Sequence, residues 1–423
     1  MTVIGRFTNT RKLELFYRGA KVGEVEMDFL HDGVPRLLRK ASWREPHSPA
    51  PAKPLGEDFG ATLLALLSSP NIASKEFIIR QYDHEVQGAS VLKPLVGVTD
   101  DGPGDAAVIA PLLGVQKGVV VACGMNPRYG DLNPYNMAAS GIDEALRQVI
   151  AVGGDIDQAA ILDNFSWGDT KDPHQLGMLV LAAKACYDYS MLFRTPFISG
   201  KDSLNNQFNT GTEVISIPPT LLISVIAILN DLKRIRSMDL KKPGNSVWVI
   251  GLTRDEMGGS HYNLAHRLKD GGTVPVVDKT LAPALFAAMA QANRRGLFAA
   301  IHDLSEGGLA VAAAECAFAG GLGMSISLDG LPADGKLDVP AMLFSESNTR
   351  WIAEVAPEHE AEVAELLNGL PAARLGEVTA EPELVVTRSG KEILRKGCAE
   401  MKAAWQGTFG RPCDTSATSR EKV

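Results

Sequence analysis

Apolar and polar positions follow two rhythms along this chain. VVVACGM (119–125) is an apolar run of strand length, the pattern of a buried strand. After it, Asn133-Pro134 opens a segment with apolar residues at Ala138, Ile142, Ala145, Leu146, Val149 and Ile150. That spacing is helical, proline suits the first turn, and Gly153-Gly154 ends the run. A second helix is predicted from Asp172-Pro173 through LGMLVLAAKACYDYSMLF, with strands at PFISG (196–200) and TLLISVIAIL (220–229). From about residue 240 the rhythm restarts. SVWVIG, LFAAIHD, MSISL and RWIAEV read as strands, and PALFAAMAQANRRG, LAVAAAECAFAGG and EHEAEVAELL as helices. The pattern predicts an α/β (α+β) chain with two unlike domains in tandem, at 61–238 and 239–396. Their cleft is the default ligand site.

The flanks differ. Residues 1–43 read as short strands with tight turns (TVIGRFT, KLELFYRG, KVGEVEMDF), too few to build a core of their own. They resemble the tail of a domain whose body is missing. Residues 44–60 carry Pro46, Pro49, Pro51 and Pro54, an extended, semi-rigid linker. Residues 397–423 are expected to form a polar tail that ends frayed.

Bulk composition removes some classes of function. With 423 residues, 45% of them hydrophobic, the chain is long enough for two or three cores. A net charge of −8 argues against nucleic acid or an anionic membrane as partner. Cys123, Cys186, Cys316, Cys398 and Cys413 form no C-x-x-C or zinc spacing, which fits a reducing cytoplasm. The start, MTVIGRFTNTRK, lacks the early basic region and apolar run of a signal peptide. No stretch reaches eighteen unbroken apolar residues.

Five segments carry candidate chemistry, each with a plainer reading beside it. DDGPGDAAV (100–108) places Asp105 on a glycine-rich turn, where a carboxylate holds Mg²⁺ or is simply solvated. Glu144 and Gln148 share one face of a helix, two oxygen donors for a cleft or an ordinary wet face. In ILDNFSWGD (161–169), Asp163 and Asn164 end a strand where α/β ligand sites gather; the alternative is a capped loop over a core tryptophan. PFISGKDSLNNQF (196–208) fails as a P-loop, because Thr195 and Asp202 stand where Gly and Ser/Thr are required. It still sets Gly200, Lys201, Asp202 and Ser203 behind a strand read as buried, with Lys201 able to neutralise a phosphate. IHDLSEGGLAVAAAE (301–315) brings a buried strand to His302-Asp303, with Ser305 as N-cap and a Gly307-Gly308 helix start suited to phosphate. The plainer reading is a capped helix with glycines for close packing. His261 in MGGSHYNLA and Ser345, Glu346 and Arg350 in FSESNTRW are weaker candidates. G-x-S-x-G, HExxH and strand-following G-x-G-x-x-G are absent, and no glutaminase triad is visible.

DGPGDAAV, NPRYGDLNPYNMAASGIDEAL, ILDNFSWGD, PFISGKDSLNN, PPTLLIS, GGSHY and HDLSEGGLAVAAAE occur in that order. Together they resemble phosphoribosylformylglycinamidine synthase over about residues 1–395. The wider superfamily includes aminoimidazole ribonucleotide synthetase, selenophosphate synthetase and thiamine-monophosphate kinase. The resemblance implies a tandem of A and B domains in the order A, B, A, B. This chain then supplies the end of the first B domain, the second A domain (61–238) and the second B domain (239–396). It implies an ATP-dependent ligase of purine biosynthesis that converts formylglycinamide ribonucleotide to the amidine with ammonia from glutamine. An N-terminal half and a separate glutaminase are the implied partners, and no catalytic residue is assigned within this chain. In the short form of the family, positions matching Asp163 and Gly200 touch nucleotide and that matching Ser203 touches substrate. That form has a metal-binding Asn where Lys201 stands, and a charged lysine is no Mg²⁺ ligand. The GKDS version resembles the long form, in which positions matching Asp105, Glu144 and Asp303 hold Mg²⁺ and those matching Gly104 and Ser305 touch nucleotide. Gln148 replaces an Asn ligand and keeps its amide oxygen. The long form's second site implies a tightly held, structural ADP or ATP. The alternatives are a non-catalytic nucleotide-binding half and another superfamily member, such as a small-molecule kinase.

Overall fold

A computed structural model describes residues 1–54, 56–81 and 84–410 (Val86 by its backbone). Cys413 and the polar stretch 411–423 lie outside the described residues. The chain forms two compact units, Met1–Ala41 and Ser42–Val423.

In the first unit, β1 (Lys12–Tyr17) and β2 (Ala20–Glu26) make an antiparallel hairpin that runs directly into α1 (Met27–Asp32). Its two-residue turn, Arg18-Gly19, has φ of 50° and 83°, the left-handed geometry that suits strand twist. The strand expected at TVIGRFT is not formed. It has no second strand to pair with among the described residues, and an isolated run leaves its backbone groups to water.

The second unit holds two sheets. The first contains β3 (Ser90–Leu92), β4 (Ala107–Ile109), β5 (Gly118–Gly124), β6 (Ala159–Ser166), β7 (Phe197–Ser203) and β10 (Thr220–Leu229), in the order β3-β4-β5-β10-β6-β7. Only β6 and β7 pair in parallel. A small hairpin, β8 (Gln207–Asn209) and β9 (Val214–Ser216), stands apart. Short helices α2 (Phe59–Leu67), α3 (Glu76–Ile79) and α4 (Pro127–Gly130) precede α5 (Pro134–Ala151) and α6 (Pro173–Phe193), which pack together on one sheet face. The Asn133 and Asp172 side chains cap these two helices, and proline occupies the first turn of each. α6 has the length and composition to cross a bilayer. Here it packs by one face, burying Met178, Ala182, Ala185, Tyr189 and Phe193, while Val180, Tyr187 and Met191 are exposed. Gly124 and Gly141 let α5 touch the sheet: a Cβ on Gly124 would stand 2.3 Å from the Gly141 carbonyl.

The second sheet contains β11 (Ser246–Ile250), β12 (Ala300–Asp303), β13 (Gly323–Ser327), β14 (Trp351–Val355), β15 (Ala372–Thr379), β16 (Glu383–Arg388) and β17 (Lys391–Gly397). Its order is β12-β14-β11-β15-β13-β16-β17, and only β13–β16 is parallel. SVWVI and WIAEV are buried at every position; the polar Glu354 among them accepts from Lys241 N–H, Lys242 N–H and Asn245 Nδ2. The helices are α7 (His261–Ala265), α8 (Leu281–Arg295), α9 (Gly308–Gly320), α10 (Val339–Phe344), α11 (Glu360–Leu366) and α12 (Cys398–Gly407). α9 is alanine-rich and buried nearly all round.

Two expectations change. The tail predicted from 397 begins instead with α12, which buries Cys398, Met401 and Trp405 against α9 and α2. Their spacing is helical, and Trp405 Nε1 donates to the Ile72 carbonyl at 2.9 Å. The proline-rich stretch, expected as an extended linker, is extended but also docked. Gly272 N–H donates to Ser48 O (2.9 Å), Lys53 pairs with Asp338 (2.9 Å), and Tyr262 OH donates to Glu57 (2.7 Å).

Candidate nucleotide and metal site

α5 lies between the two sheets, and the candidate site grows from its buried polar positions. Asp143 accepts from Thr349 N–H (2.8 Å) and Thr349 Oγ1 (2.5 Å). One turn on, Arg147 is 2% exposed and donates to Asp143, to Asp303 Oδ2 (3.2 Å) and to the Leu304 carbonyl (3.3 Å). Its own carbonyl accepts from Trp351 Nε1 at 3.1 Å. Glu144, on the neighbouring helical position, accepts from Met125 N–H (3.0 Å), Asn126 Nδ2 (2.8 Å) and Ser305 Oγ (2.9 Å). Asp105 reaches the cluster from the glycine-rich turn. It accepts from Asp303 N–H (3.0 Å) and from His302 Nδ1 (2.8 Å), while the other His302 nitrogen meets Glu315 at 3.0 Å.

Four buried acids (Asp105, Asp143, Glu144, Asp303) and the partly buried Glu315 thus surround two bases, Arg147 and His302. Burial works against charge on His302, yet Asp105 and Glu315 raise it well above the ordinary imidazole value, so it is an imidazolium. Against the same effect, Asp143, Asp303 and Glu144 hold Arg147 firmly protonated. The acids outnumber these cations. Burial, with Glu306 nearby, raises the Glu144 carboxyl well above its usual range. Burial, with Asp105 beside it, pushes Asp303 up to about 7. The cluster is short of positive charge, and its remaining donors to a cation are oxygens, which suits a hard divalent ion. Asp105, His302 and Asp303 bring ligand atoms within 4.8 Å of one another. Both His302 nitrogens are already committed to carboxylates, which leaves the oxygens as the ligands.

Asp105, Glu144, Asp303 and Ser305 therefore converge, with Gly104 adjacent in the chain. Gln148 shares their helix but turns to the sheet, its Oε1 accepting from Cys123 N–H at 3.3 Å. Ser305 is not the expected N-cap. Its hydroxyl goes to Glu144, and the helix starts after Gly307, with Gly307 and Gly308 at φ of 76° and 63°. The Gly307 N–H expected to face a phosphate donates to Glu346 at 2.9 Å. That buried carboxylate also accepts from His261 N–H (2.8 Å), His261 Nδ1 (3.1 Å) and Tyr129 OH (2.6 Å). It already supplies the negative charge that a helix N-terminus attracts.

Asp163, Gly200, Lys201 and Ser203 form a second group on β6 and β7. The strand behind GKDS was expected to be buried, but β7 is an edge strand and Ile198 is 60% exposed. The motif lies within the strand, so alternation splits it. Gly200 and Asp202 line a cavity of about 580 Å³ with Asp163, Phe165, Leu179 and Leu204. Lys201 and Ser203 point the other way and bond each other. A Cβ on Gly200 would stand 2.2 Å from Asp163 Oδ1, so this glycine makes room for a carboxylate of the chain itself. Burial and Asp202 raise the Asp163 carboxyl. Burial likewise raises the thiols of Cys123, Cys186, Cys316 and Cys398, so none of these is an activated nucleophile.

Sequence reasoning missed Arg147, Asn126 and Glu315. Arg147 had a local signal, four positions after Asp143 and three after Glu144 on one helix. Asn126 and Glu315 had none, because their partners are distant in sequence or on another element.

Residues 242–389 match the model of the AIR synthase related protein, C-terminal domain. That stretch, which holds β11 to β16, is thus similar to the AIR-synthase-related C-terminal domain. It is 33% identical over 426 residues to phosphoribosylformylglycinamidine synthase subunit PurL of Alkaliphilus metalliredigens, covering 96% of this chain and 53% of the relative. For the same subunit of Deinococcus radiodurans the identity is 37% over 362 residues, covering 84% and 46%. By sequence, then, this chain is PurL-like, and it spans about half the length of the curated relatives it matches. Its fold resembles that of T. maritima PurL complexed with FGAR (TM-score 0.62, 19% identity, 81% of this chain and 53% of that one). The same protein complexed with ATP gives 0.59, 18%, 81% and 51%. PurLQS from Thermotoga maritima gives 0.61, 18%, 86% and 54%.

Proposed function

We propose that this chain is the nucleotide-holding half of a cytoplasmic phosphoribosylformylglycinamidine synthase. In that reaction ATP phosphorylates the amide oxygen of formylglycinamide ribonucleotide and ammonia displaces the phosphate to give the amidine. The reading rests on the convergence of Asp105, Glu144, Asp303 and Ser305 on one buried, cation-deficient cluster in a PurL-like chain. The reported ligands of the T. maritima neighbours, ATP and FGAR, fit it. Residues 1–43 are assigned to the end of a preceding B domain, 44–60 to a linker, 61–238 to an A domain and 239–396 to a B domain. The partners are the remaining synthase half and a glutaminase that supplies ammonia.

Within this chain, Asp105, Glu144 and Asp303 would hold Mg²⁺, whose charge would neutralise phosphate oxygens; Gln148, whose Oε1 accepts from Cys123 N–H, would join them only by leaving the sheet. Ser305 and Asn126 orient Glu144, and His302 orients Asp105. Gly104 and Ser305 border the nucleotide. At the second group, Asp163 and Gly200 are assigned to nucleotide on the cavity side of β7, and Ser203 to substrate and Lys201 to phosphate charge on the opposite side. Such a site works by positioning and charge neutralisation.

The near-complete burial of Glu144 and Asp303 favours a nucleotide that is held rather than turned over. The test is turnover with ammonia, ATP, Mg²⁺ and formylglycinamide ribonucleotide, on this chain alone and mixed with the missing half. Activity only on mixing, with a Mg²⁺-dependent thermal shift of this chain by ADP or ATP, is the expected result. Turnover by the chain alone would overturn the supporting role. Absence of any nucleotide-dependent shift would overturn the site.

A further inference from the structure

Asp101 is a buried carboxylate that takes no part in the metal cluster, and α12 is built to hold it. Met401 and Trp405 bury one side of that helix, Trp405 lying against Phe318 of α9 with 5.4 Å between ring centroids. Lys402 and Gln406 stand one helical turn apart on the neighbouring face. Lys402 Nζ donates to Asp101 Oδ1 at 2.6 Å and to Thr99 Oγ1 at 2.9 Å. Gln406 Nε2 donates to Asp101 Oδ2 at 3.1 Å, and Thr99 Oγ1 donates to Oδ1 at 2.5 Å. Both oxygens of a side chain at 9% exposure are thus committed, to partners 301 and 305 positions away.

Asp101 begins the glycine-rich turn that ends in Asp105. Gly102 N–H donates to Val96 O (2.8 Å) and Val96 N–H to Gly102 O (3.0 Å), while Val98 N–H ties the loop to the Ala319 carbonyl of α9 (3.0 Å). Only Pro103 and Gly104 then separate the pinned Gly102 from Asp105. A Cβ on Gly102 would stand 2.7 Å from Ala319 Cβ, so the close approach excludes a side chain there. Glycines leave the turn with little stiffness of its own, and its position must be set from outside. At the far end, the bonds that Asp105 accepts from His302 Nδ1 and Asp303 N–H both fall on Oδ1. Oδ2 is the oxygen left for a cation, and its direction follows the backbone of the turn.

We propose that Lys402 and Gln406 of α12 are positioning residues for the Mg²⁺ ligand Asp105, acting through Asp101. α12 is already anchored by Met401 and Trp405, so the effect of the polar contact falls on the turn rather than on the helix. A shielded ion pair adds little net stability after desolvation; what it fixes is one geometry. The inference rests on the assignment of Asp105 to Mg²⁺ and adds to it a brace outside the cluster.

The test uses the full 423-residue chain. Thermal unfolding at saturating ATP, with Mg²⁺ titrated, gives the Mg²⁺ concentration at half of the shift. Hydrogen exchange without nucleotide reads the turn at residues 102–106 and the core at α9. Lys402→Met keeps the stem of the side chain and removes the donor. It should raise the half-saturating Mg²⁺ concentration roughly tenfold, the lower end of what hydrogen-bond partners behind a metal ligand contribute. It should also speed exchange in the turn and leave α9 as it is. Gln406→Ala should shift both readouts the same way by less, and Lys402→Arg, which retains charge and donors, should recover most of the Mg²⁺ response. Lys396→Met, which removes the surface pair with Glu400 (3.0 Å), should change neither. Equal Mg²⁺ dependence in the Lys402→Met and natural chains, or protection lost across α9 as well as the turn, overturns the inference. A natural chain with no Mg²⁺ response sinks the assignment of Asp105 itself, and the brace of a metal ligand with it.

Discussion

Asp303→Asn separates the cost of the charge cluster from its use. Asp303 is 4% exposed and its carboxyl is pushed from 3.8 up to about 7 by burial and by Asp105. Its proton is therefore held more tightly in the folded chain than in the unfolded one. Below the unfolded value, about 3.9, both states are protonated and there is no penalty. As pH rises from there toward 7, the unfolded state releases the proton first, and the fold loses stability. Above 7 the loss is complete, at most about 4 kcal/mol at 1.36 kcal/mol per pH unit. Asparagine keeps the shape and stays neutral, while Arg147 retains Asp143 as its partner. Relative to the natural chain, the variant should gain stability between pH 5 and 8, by about 1–4 kcal/mol. It should also lose the Mg²⁺-dependent stabilisation by ATP. Urea unfolding at several pH values, with and without Mg²⁺ and ATP, reads both. A stability difference that is flat with pH, or that falls as pH rises, would refute the argument.

Two further substitutions probe the frame around the site. Gly124→Ala puts a Cβ 2.3 Å from the Gly141 carbonyl and 2.9 Å from Ala145 N, so α5 must move off the sheet and take Glu144 with it. A stability loss of about 1–3 kcal/mol by urea unfolding, together with weaker nucleotide binding by calorimetry, is expected. Trp405→Ala empties the contact among α12, α9 and Ile72 and should cost about 3–5 kcal/mol; a thermal midpoint unchanged from the natural chain would show that α12 is dispensable.

Much of the frame was legible because it is local. Asn133 and Asp172 cap their helices three and two positions ahead, and the apolar stretches 247–250 and 351–353 have no stable place except a sheet interior. The edge position of β7 was not legible. FIS has the same apolar character in an edge strand as in a central one, and only pairing decides which. The polar role of α5 was half legible: Asp143, Glu144 and Arg147 sit at helical spacing, but whether their face meets water or a second sheet is set by residues two hundred positions away. His302 meets Asp105 across 197 positions, and Glu346 meets Tyr129 across 217. No local pattern encodes such pairs.

The charge imbalance also explains why the site lies where the two sheets meet. Beyond their bond to each other, Asp143 and Arg147 are satisfied by groups from the second sheet's side, among them Thr349, Asp303 and Leu304. Asp105 is satisfied by His302 and the Asp303 backbone. Moving the sheets apart would leave buried charges without partners, each costing several kcal/mol. The same contacts that fix the sheets in one unit therefore fix the ligand oxygens. A cation entering the cluster would relieve the repulsion that now raises Glu144 and Asp303, so occupancy and stability of this unit are coupled through the same side chains.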